Sequence, residues 1–441
     1  MFLIDQLSGA SLKMNCPHVR EISFQFDKPW EGLYSGYETI LETDDGFRLY
    51  YRGLPVPKHT LDTEVTCIAE SRDGIHWTKP TLGLFEVQGT KDNNVILARH
   101  RACHNFAPFR DTKPDTPPEE RYKALGGTGD PGLIALVSPD GIRWRELQRD
   151  PVITKGAFDS QNNAFWSQSE VTYVCYFRVF RDNVRWIART TSVDFIHWSD
   201  PVDLTLDGKP REHLYTNQIV PYPRAPHIYV GFPTRFFPGR RVITPAEAKA
   251  IDTPETWGYA NDCTDILLCS ARTGAQLNRT FMEAFIRPGL DLRNWTSRAN
   301  YAVRGVVQTG LQELSFYIKH NAGYPTSHIR RYAIRPDGLV SVHGPYTGGE
   351  MITRLLQFAG TRLALNYSTS AAGSLKVEVQ SAEGRPIPGF TLNDCPEIIG
   401  DRLEHVVVWK GADSVSRLAG KPVRLRFVLR DADLFSLQFL P

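Results

Sequence analysis

The chain is short of most features that would assign it quickly. Its seven cysteines, Cys16, Cys67, Cys103, Cys175, Cys263, Cys269 and Cys395, are scattered and odd in number, with no CxxC pair. That pattern argues against a disulfide framework and against a thiolate zinc site, and leaves buried free thiols. No charge of one sign dominates: 51 basic side chains face 49 acidic ones, for a formal net charge of +2. A phosphate backbone would need a basic footprint, so nucleic acid is excluded as an expected partner. No run of eighteen apolar residues occurs, and the first residues lack a basic segment followed by an apolar run and a small-residue cleavage site. The expectation is therefore a cytoplasmic protein with no membrane partner. HExxH is missing, and GGTGDPG at 126–132 joins two extended segments instead of opening a helix, so neither a catalytic zinc nor a phosphate cradle is expected.

Amphipathic helical periods are nearly absent as well. The clearest, TPAEAKAI, predicts a short helix with Thr244 as N-cap, Pro245 as first helical residue and Glu247 closing a capping box. What recurs instead is a turn: SRDGIHW at 71–77, SPDGIRW at 138–144 and SVDFIHW at 192–198, with weaker echoes at SARTGAQL from Ser270 and RPDGLVSV from Arg335. Each follows a β-branched, aromatic-rich run, and upstream lies another: RLYYRG, RYKALGG, TYVCYFR, HIYVGFP and LSFYIKH. Short antiparallel strands closed by such a turn, in five units, predict an all-β chain with a five-bladed β-propeller over residues 1–345, on which residues 1–27 pack. Beyond it, RLALNYS, SLKVEVQ, HVVVWKG and VRLRFVLR alternate with turns, predicting a β-sandwich over 346–441.

The segment before each blade's apolar strand is polar, where burial without partners would be costly, so these segments predict a wet central pocket. They hold Trp30, Glu31, Tyr37 and Glu38; His104, Asn105, Arg110 and Asp111; Asp159, Gln161, Asn162 and Trp166; Glu212, Tyr215, Asn217 and Gln218; and Arg298, Tyr301, Arg304 and Glu313. Carboxylates beside amides and aromatic rings are suited to sugars: acid and base at the anomeric carbon, amides and arginines on hydroxyls, rings against C–H faces. Glu31, Asp111, Asp159 and Glu313 are the candidate catalytic carboxylates. Trp30, His104, Asn105, Gln161, Asn162, Tyr215, Asn217, Arg298 and Arg304 are the candidate substrate contacts, with an oligosaccharide or polysaccharide as partner. No cofactor is expected, though His104 leaves room for a structural calcium ion, and self-association through the C-terminal region stays open.

The turns SRDGIHW and SVDFIHW resemble the strand-ending motif of the five-bladed propeller glycoside hydrolases of families 32, 43, 62 and 68, and a propeller followed by a sandwich is the family 32 arrangement. WEG at Trp30, NFAPFRDT at Asn105, FDSQN at Phe158, YTNQI at Tyr215, ELSFY at Glu313 and LNYSTSAAGSLKVEVQ more closely resemble bacterial family 32-like proteins. The resemblance implies hydrolysis of a glycosidic bond, furanosides included, with Glu31 as nucleophile or base, Asp111 stabilising the transition state and Asp159 as acid. WMNDPNG is absent, Thr112 replaces proline after Arg110-Asp111, and Glu313 has no counterpart in that scheme. Two alternatives remain: a carbohydrate-binding propeller without catalysis, and a sialidase-like hydrolase of acidic sugars using Arg298 or Arg304.

Overall fold

The computed structural model describes residues 2–56, 60–206, 208–254 and 260–441. It is all-β. Among the described residues the single α-helix is Pro245–Ala250, and its start is as expected: Thr244 Oγ1 accepts from Glu247 N at 3.2 Å while Glu247 Oε2 accepts from Thr244 N at 2.8 Å.

The chain divides into two compact units, residues 18–333 and residues 1–17 with 334–441. In the larger unit, three successive four-stranded antiparallel sheets follow chain order: Gly36–Thr43 to Val95–Ala98, Ala107–Arg110 to Arg145–Glu146, and Asn163–Ser167 to Val202–Asp203. A fourth region is split into two three-stranded ladders, one starting at Leu214–Thr216 and one at Val220–Tyr222. The fifth sheet runs from Tyr301–Ala302 through Glu313–His320 and His328–Ile334, and is completed by His18–Gln25 from the other end of the unit. The leading strands of neighbouring sheets touch: Gly36–Thr43 meets both Ala107–Arg110 and Val307–Gly310, and Asn163–Ser167 meets Ala107–Arg110 and Val220–Tyr222.

The recurring turn has one physical form. Ser71 Oγ accepts from Asp73 N and Gly74 N, and Asp73 Oδ1 accepts from Ile75 N and His76 N. The same pattern holds at Ser138–Asp140 and Ser192–Asp194. These aspartates are turn formers, as expected. The turns also tie sheets together: Tyr317 of the fifth sheet donates to Gly74 O, and Tyr50 of the first donates to Gly141 O at 3.0 Å. Where the first two turns have glycine in the left-handed region, the third has Phe195 at φ 67°, a conformation that costs about 1–2 kcal/mol without glycine. Its ring packs edge-on against Phe109, Trp198 and, tilted, Tyr173, which offsets the strain. The echo at Arg335 belongs to the smaller unit, where Asp337 accepts from Asn366 and Ser436, and is not one of these turns.

The smaller unit is one seven-stranded sheet around a core that includes Leu363, Val377, Trp409, Leu425 and Phe427. The expected boundary at 345/346 needs correction, as does the expected seat of residues 1–14. Ile4–Ser8 pairs with Gly349–Thr353 and Ser11–Met14 with Val340–Gly344, so both ends of the chain build this unit. Pairing across more than 300 positions leaves no local trace in the sequence. RLALNYS and SLKVEVQ, expected as two strands around a turn at AAG, form one bent strand, Arg362–Gln380. Its register on Arg424–Leu440 shifts between Thr369 and Ser374, where a Cβ on Gly373 would lie 2.3 Å from Asp431 O. Glu378 and Gln380 are buried and bonded to each other, with Arg426 3.5 Å from Glu378.

Candidate active site

A pocket of about 210 Å³, roughly seven water volumes at ~30 Å³ each, opens in the larger unit. Its walls come from the segments before the leading strands and from the starts of those strands: Leu33–Glu38, Asp159 and Gln161, Tyr215, Thr216 and Gln218, and Arg298 with Tyr301 and Ala302. Two cations complete it from the ends of the apolar strands, Arg52 and Lys319. Tyr37, Gln218 and Arg298 all hold left-handed backbone, at φ 56°, 47° and 57°. Strain of this kind at about 1–3 kcal/mol per residue collects where a site needs its side chains aimed, and here three such residues line one pocket.

Asp159 is the pocket's exposed carboxylate, its side chain 56% accessible. His104 Nε2 lies 2.9 Å from its Oδ1, Tyr37 OH donates to the same oxygen at 3.1 Å, and Arg178 reaches Oδ2 at 3.5 Å. Partial desolvation by the walls opposes its charge, but His104, Arg178 and Tyr37 outweigh this and hold the carboxyl well below its usual range. Behind it, His104 Nδ1 is 2.8 Å from Glu64 Oε1. Burial works against the imidazolium, yet the bonds to Asp159 and Glu64 raise its pKa above the ordinary value. Burial, then the charge of Asp159, drives the Tyr37 hydroxyl far above its ordinary pKa, so it stays a donor.

The second pocket carboxylate is Glu38, buried, with Lys319 Nζ 3.3 Å from Oε1. Lys319 also donates to Ser35 O. Burial lowers its pKa, Glu38 acts in the opposite direction, and Arg52 adds to the lowering. Tyr215 and Tyr301 face each other across the wall with ring centroids 5.7 Å apart.

The candidate residues separate into those the pocket gathers and those it does not. Asp159, Gln161, Tyr215 and Arg298 line it, and His104 stands directly behind Asp159. Asn105 and Asn162 each donate to the carbonyls of Phe158 and Ser160, so they shape the loop that presents Asp159. Asn217 holds Gln161 O and Tyr176 O. Glu31 lies elsewhere, fully buried: it accepts from Tyr51 OH at 2.5 Å and pairs with Lys79 at 2.7 Å. Trp30 is buried beside it, donating to Asn94 at 2.9 Å. Asp111 pairs with buried Lys123 at 2.9 Å and accepts from Tyr173 OH at 2.6 Å. With Trp166 and Arg304 it lines a separate cavity of about 560 Å³. Arg304 donates to Pro108 O and Ala164 O, and burial brings its pKa down to about 10. Glu313 is bound to Arg331 and Arg20, away from the pocket. Of the four expected catalytic carboxylates, the pocket therefore holds one.

Arg52, Glu64, Arg178 and Lys319 were not expected. A signal exists for three of them: when RLYYRG, TYVCYFR and LSFYIKH are laid over one another, each apolar strand ends in a cation, Arg52, Arg178 or Lys319. Among the described residues no cluster of three His, Cys, Asp or Glu could hold a metal ion, and no helix is long and apolar enough to cross a membrane.

No family model matches this chain, and no curated protein does. Several solved structures align with most of this chain at low identity. One is an N-acetylgalactosamine deacetylase from F. plautii in complex with blood group B trisaccharide, at 12% identity and TM-score 0.46 over 75% of this chain and 94% of that one. A family 43 arabinoxylan arabinofuranohydrolase from Bacillus subtilis, in complex with cellotetraose, aligns over 93% and 96% at 11% identity and TM-score 0.43. A glycosyl hydrolase from Bacteroides ovatus aligns over 74% and 94% at 12% identity and TM-score 0.43. At such values none of them fixes the chemistry of this chain.

Proposed function

We propose that the protein is a glycoside hydrolase, the five sheet regions of its larger unit the blades of a propeller, its smaller unit a sandwich, and its active site the pocket around Asp159 and Glu38. The observation that carries this reading is an accessible carboxylate held ionised by His104, Arg178 and Tyr37, in one small polar pocket with a second carboxylate and two tyrosine rings. Asp159 serves as nucleophile or as the base that activates water, since it is charged and reaches the pocket space. The proton donor is the Glu38–Lys319 pair. The two groups stand 3.3 Å apart in the pocket lining, beside the space that the leaving oxygen would occupy. Gln161 and Gln218, bonded to each other and to the carbonyls of Glu38 and Ala302, fix the pocket's lining, Arg52 contacts hydroxyls, and Tyr215 or Tyr301 stacks on the sugar ring. Furanosides belong among the first substrates to try.

The test is turnover of a panel of aryl furanosides and pyranosides by the protein and by Asp159→Asn and Glu38→Gln. Each substitution is expected to lower kcat by at least about 10²-fold, the usual share of general acid and base catalysis. Full activity in either variant removes that residue from the mechanism. Selective sugar binding without turnover of any glycoside would favour a binding propeller instead.

A further inference from the structure

The walls of the pocket around Asp159 are joined all the way round. Between the first and third sheets Tyr37 OH donates to Asp159 Oδ1 at 3.1 Å, and behind that contact Arg52 donates to His104 O at 3.3 Å while His104 Nε2 lies 2.9 Å from Asp159. Between the third sheet and the fourth region Ser160 Oγ donates to Tyr215 O at 3.0 Å. The fourth meets the fifth through the rings of Tyr215 and Tyr301. The fifth meets the first twice: Gly323 N donates to Leu33 O at 3.1 Å, and Lys319 Nζ stands 3.3 Å from Glu38.

The inner end is shut as well. Gln161 and Gln218, both buried, are bonded to each other at 2.6 Å; Gln161 reaches Glu38 O at 3.1 Å and Gln218 reaches Ala302 O at 2.6 Å. One mesh of amides thus ties four wall segments together, and a glycan could pass it only by leaving several buried polar groups without partners, which is costly. Among the described residues, the larger cavity beside Asp111 shares no lining residue with this pocket, so the two do not form a through-channel. What remains is a cup of about 210 Å³. A single furanose or pyranose ring with its hydroxyls displaces roughly five or six waters at ~30 Å³ each, which nearly fills it.

We infer that this cup accepts one terminal sugar unit, so that the protein takes a glycan by its end and does not hold internal units. A groove open at two sides would let a chain lie across it, whereas a closed cup admits only a unit with a single neighbour. The unit whose anomeric carbon is attacked carries the rest of the chain on its anomeric oxygen, and that rest must leave through the mouth. The unit inside is therefore the non-reducing end, single-unit branches included. The inference rests on the sugar reading of the pocket, while its closure and size hold whether or not a bond is cleaved.

The test uses pentasaccharides of arabinose, xylose, glucose, galactose and mannose, each carrying a fluorescent label at the reducing end and each prepared with and without a benzyl ether on the non-reducing unit. Binding to the intact protein is read by anisotropy of the label, and cleavage by the length of the labelled product. For any sugar that binds, the free chain is expected to bind at least tenfold more tightly than the capped one. For any sugar that is cleaved, the first labelled product is expected to be one unit shorter. Equal binding of capped and free chains overturns the inference, as do early labelled products of several lengths. Preferential binding of the free end without cleavage sinks the hydrolase reading alone, and cleavage at internal bonds sinks the terminal-unit reading alone. Failure of all five sugars to bind or be cleaved overturns the sugar reading and this inference with it.

Discussion

The imidazole of His104 bridges Glu64 and Asp159, with Nδ1 2.8 Å from one carboxylate and Nε2 2.9 Å from the other. Its pKa is raised above the ordinary 6.5, so its contribution to stability is complete below pH 6.5 and disappears as pH climbs through the folded value. An NMR titration of the ring should give a midpoint above 6.5 that drops in Asp159→Asn. A midpoint at or below 6.5 in the unaltered protein would contradict the bridge.

Glu31 resembles a catalytic residue in sequence and is a core ion pair in space. Glu31→Gln removes the buried carboxylate 2.7 Å from Lys79, while Asp27 stays 2.6 Å from the same ammonium, and should cost about 1–3 kcal/mol of stability, the range for disturbing a buried hydrogen-bonded group. Chemical denaturation measures the loss. The kcat of the folded fraction should stay unchanged, and a hundredfold drop would return Glu31 to the mechanism.

For Glu38 and Lys319 a double-mutant cycle is decisive. Lys319→Met strands a buried carboxylate, whereas Glu38→Leu with Lys319→Met removes both charges. The double variant should be more stable than Lys319→Met alone by about 1–3 kcal/mol. Additive losses would mean that the two groups do not interact.

Gly141 sits at φ 74° with the Tyr50 hydroxyl 2.5 Å from where a Cβ would be. Gly141→Ala should lower stability by about 1–2 kcal/mol and reduce Tm accordingly. Gly208, also at positive φ but with open space around it, should respond to alanine with the backbone cost alone. Equal Tm shifts for the two would show that the Tyr50 contact contributes nothing.

The all-β character, the helix cap at Thr244 and the serine–aspartate turns were readable because each depends on a few adjacent residues. Side-chain direction was not. Glu31 and Glu38 flank one loop, yet the backbone turn from Lys28 to Glu31 folds the first inward to Lys79 while the second faces the pocket. Asp111 opens a proline-rich segment, but the strand just before it, Ala107–Arg110, pairs with the one carrying Lys123, and that ammonium draws it into the interior. Asp159 was legible because its neighbours Asn105 and Asn162 fix the loop on either side of it.

Because Ser11–Met14 pairs with Val340–Gly344, with Asn15 N reaching Leu339 O at 3.1 Å, the larger unit is an insertion between two adjacent strands of the smaller one. During synthesis the opening strands must wait for partners more than 320 residues downstream, roughly 16–65 s at ~5–20 residues per second. The inserted unit thus has time to form first, and a ribosome stalled before residue 340 would release a folded pocket with an unpaired strand trailing from its start.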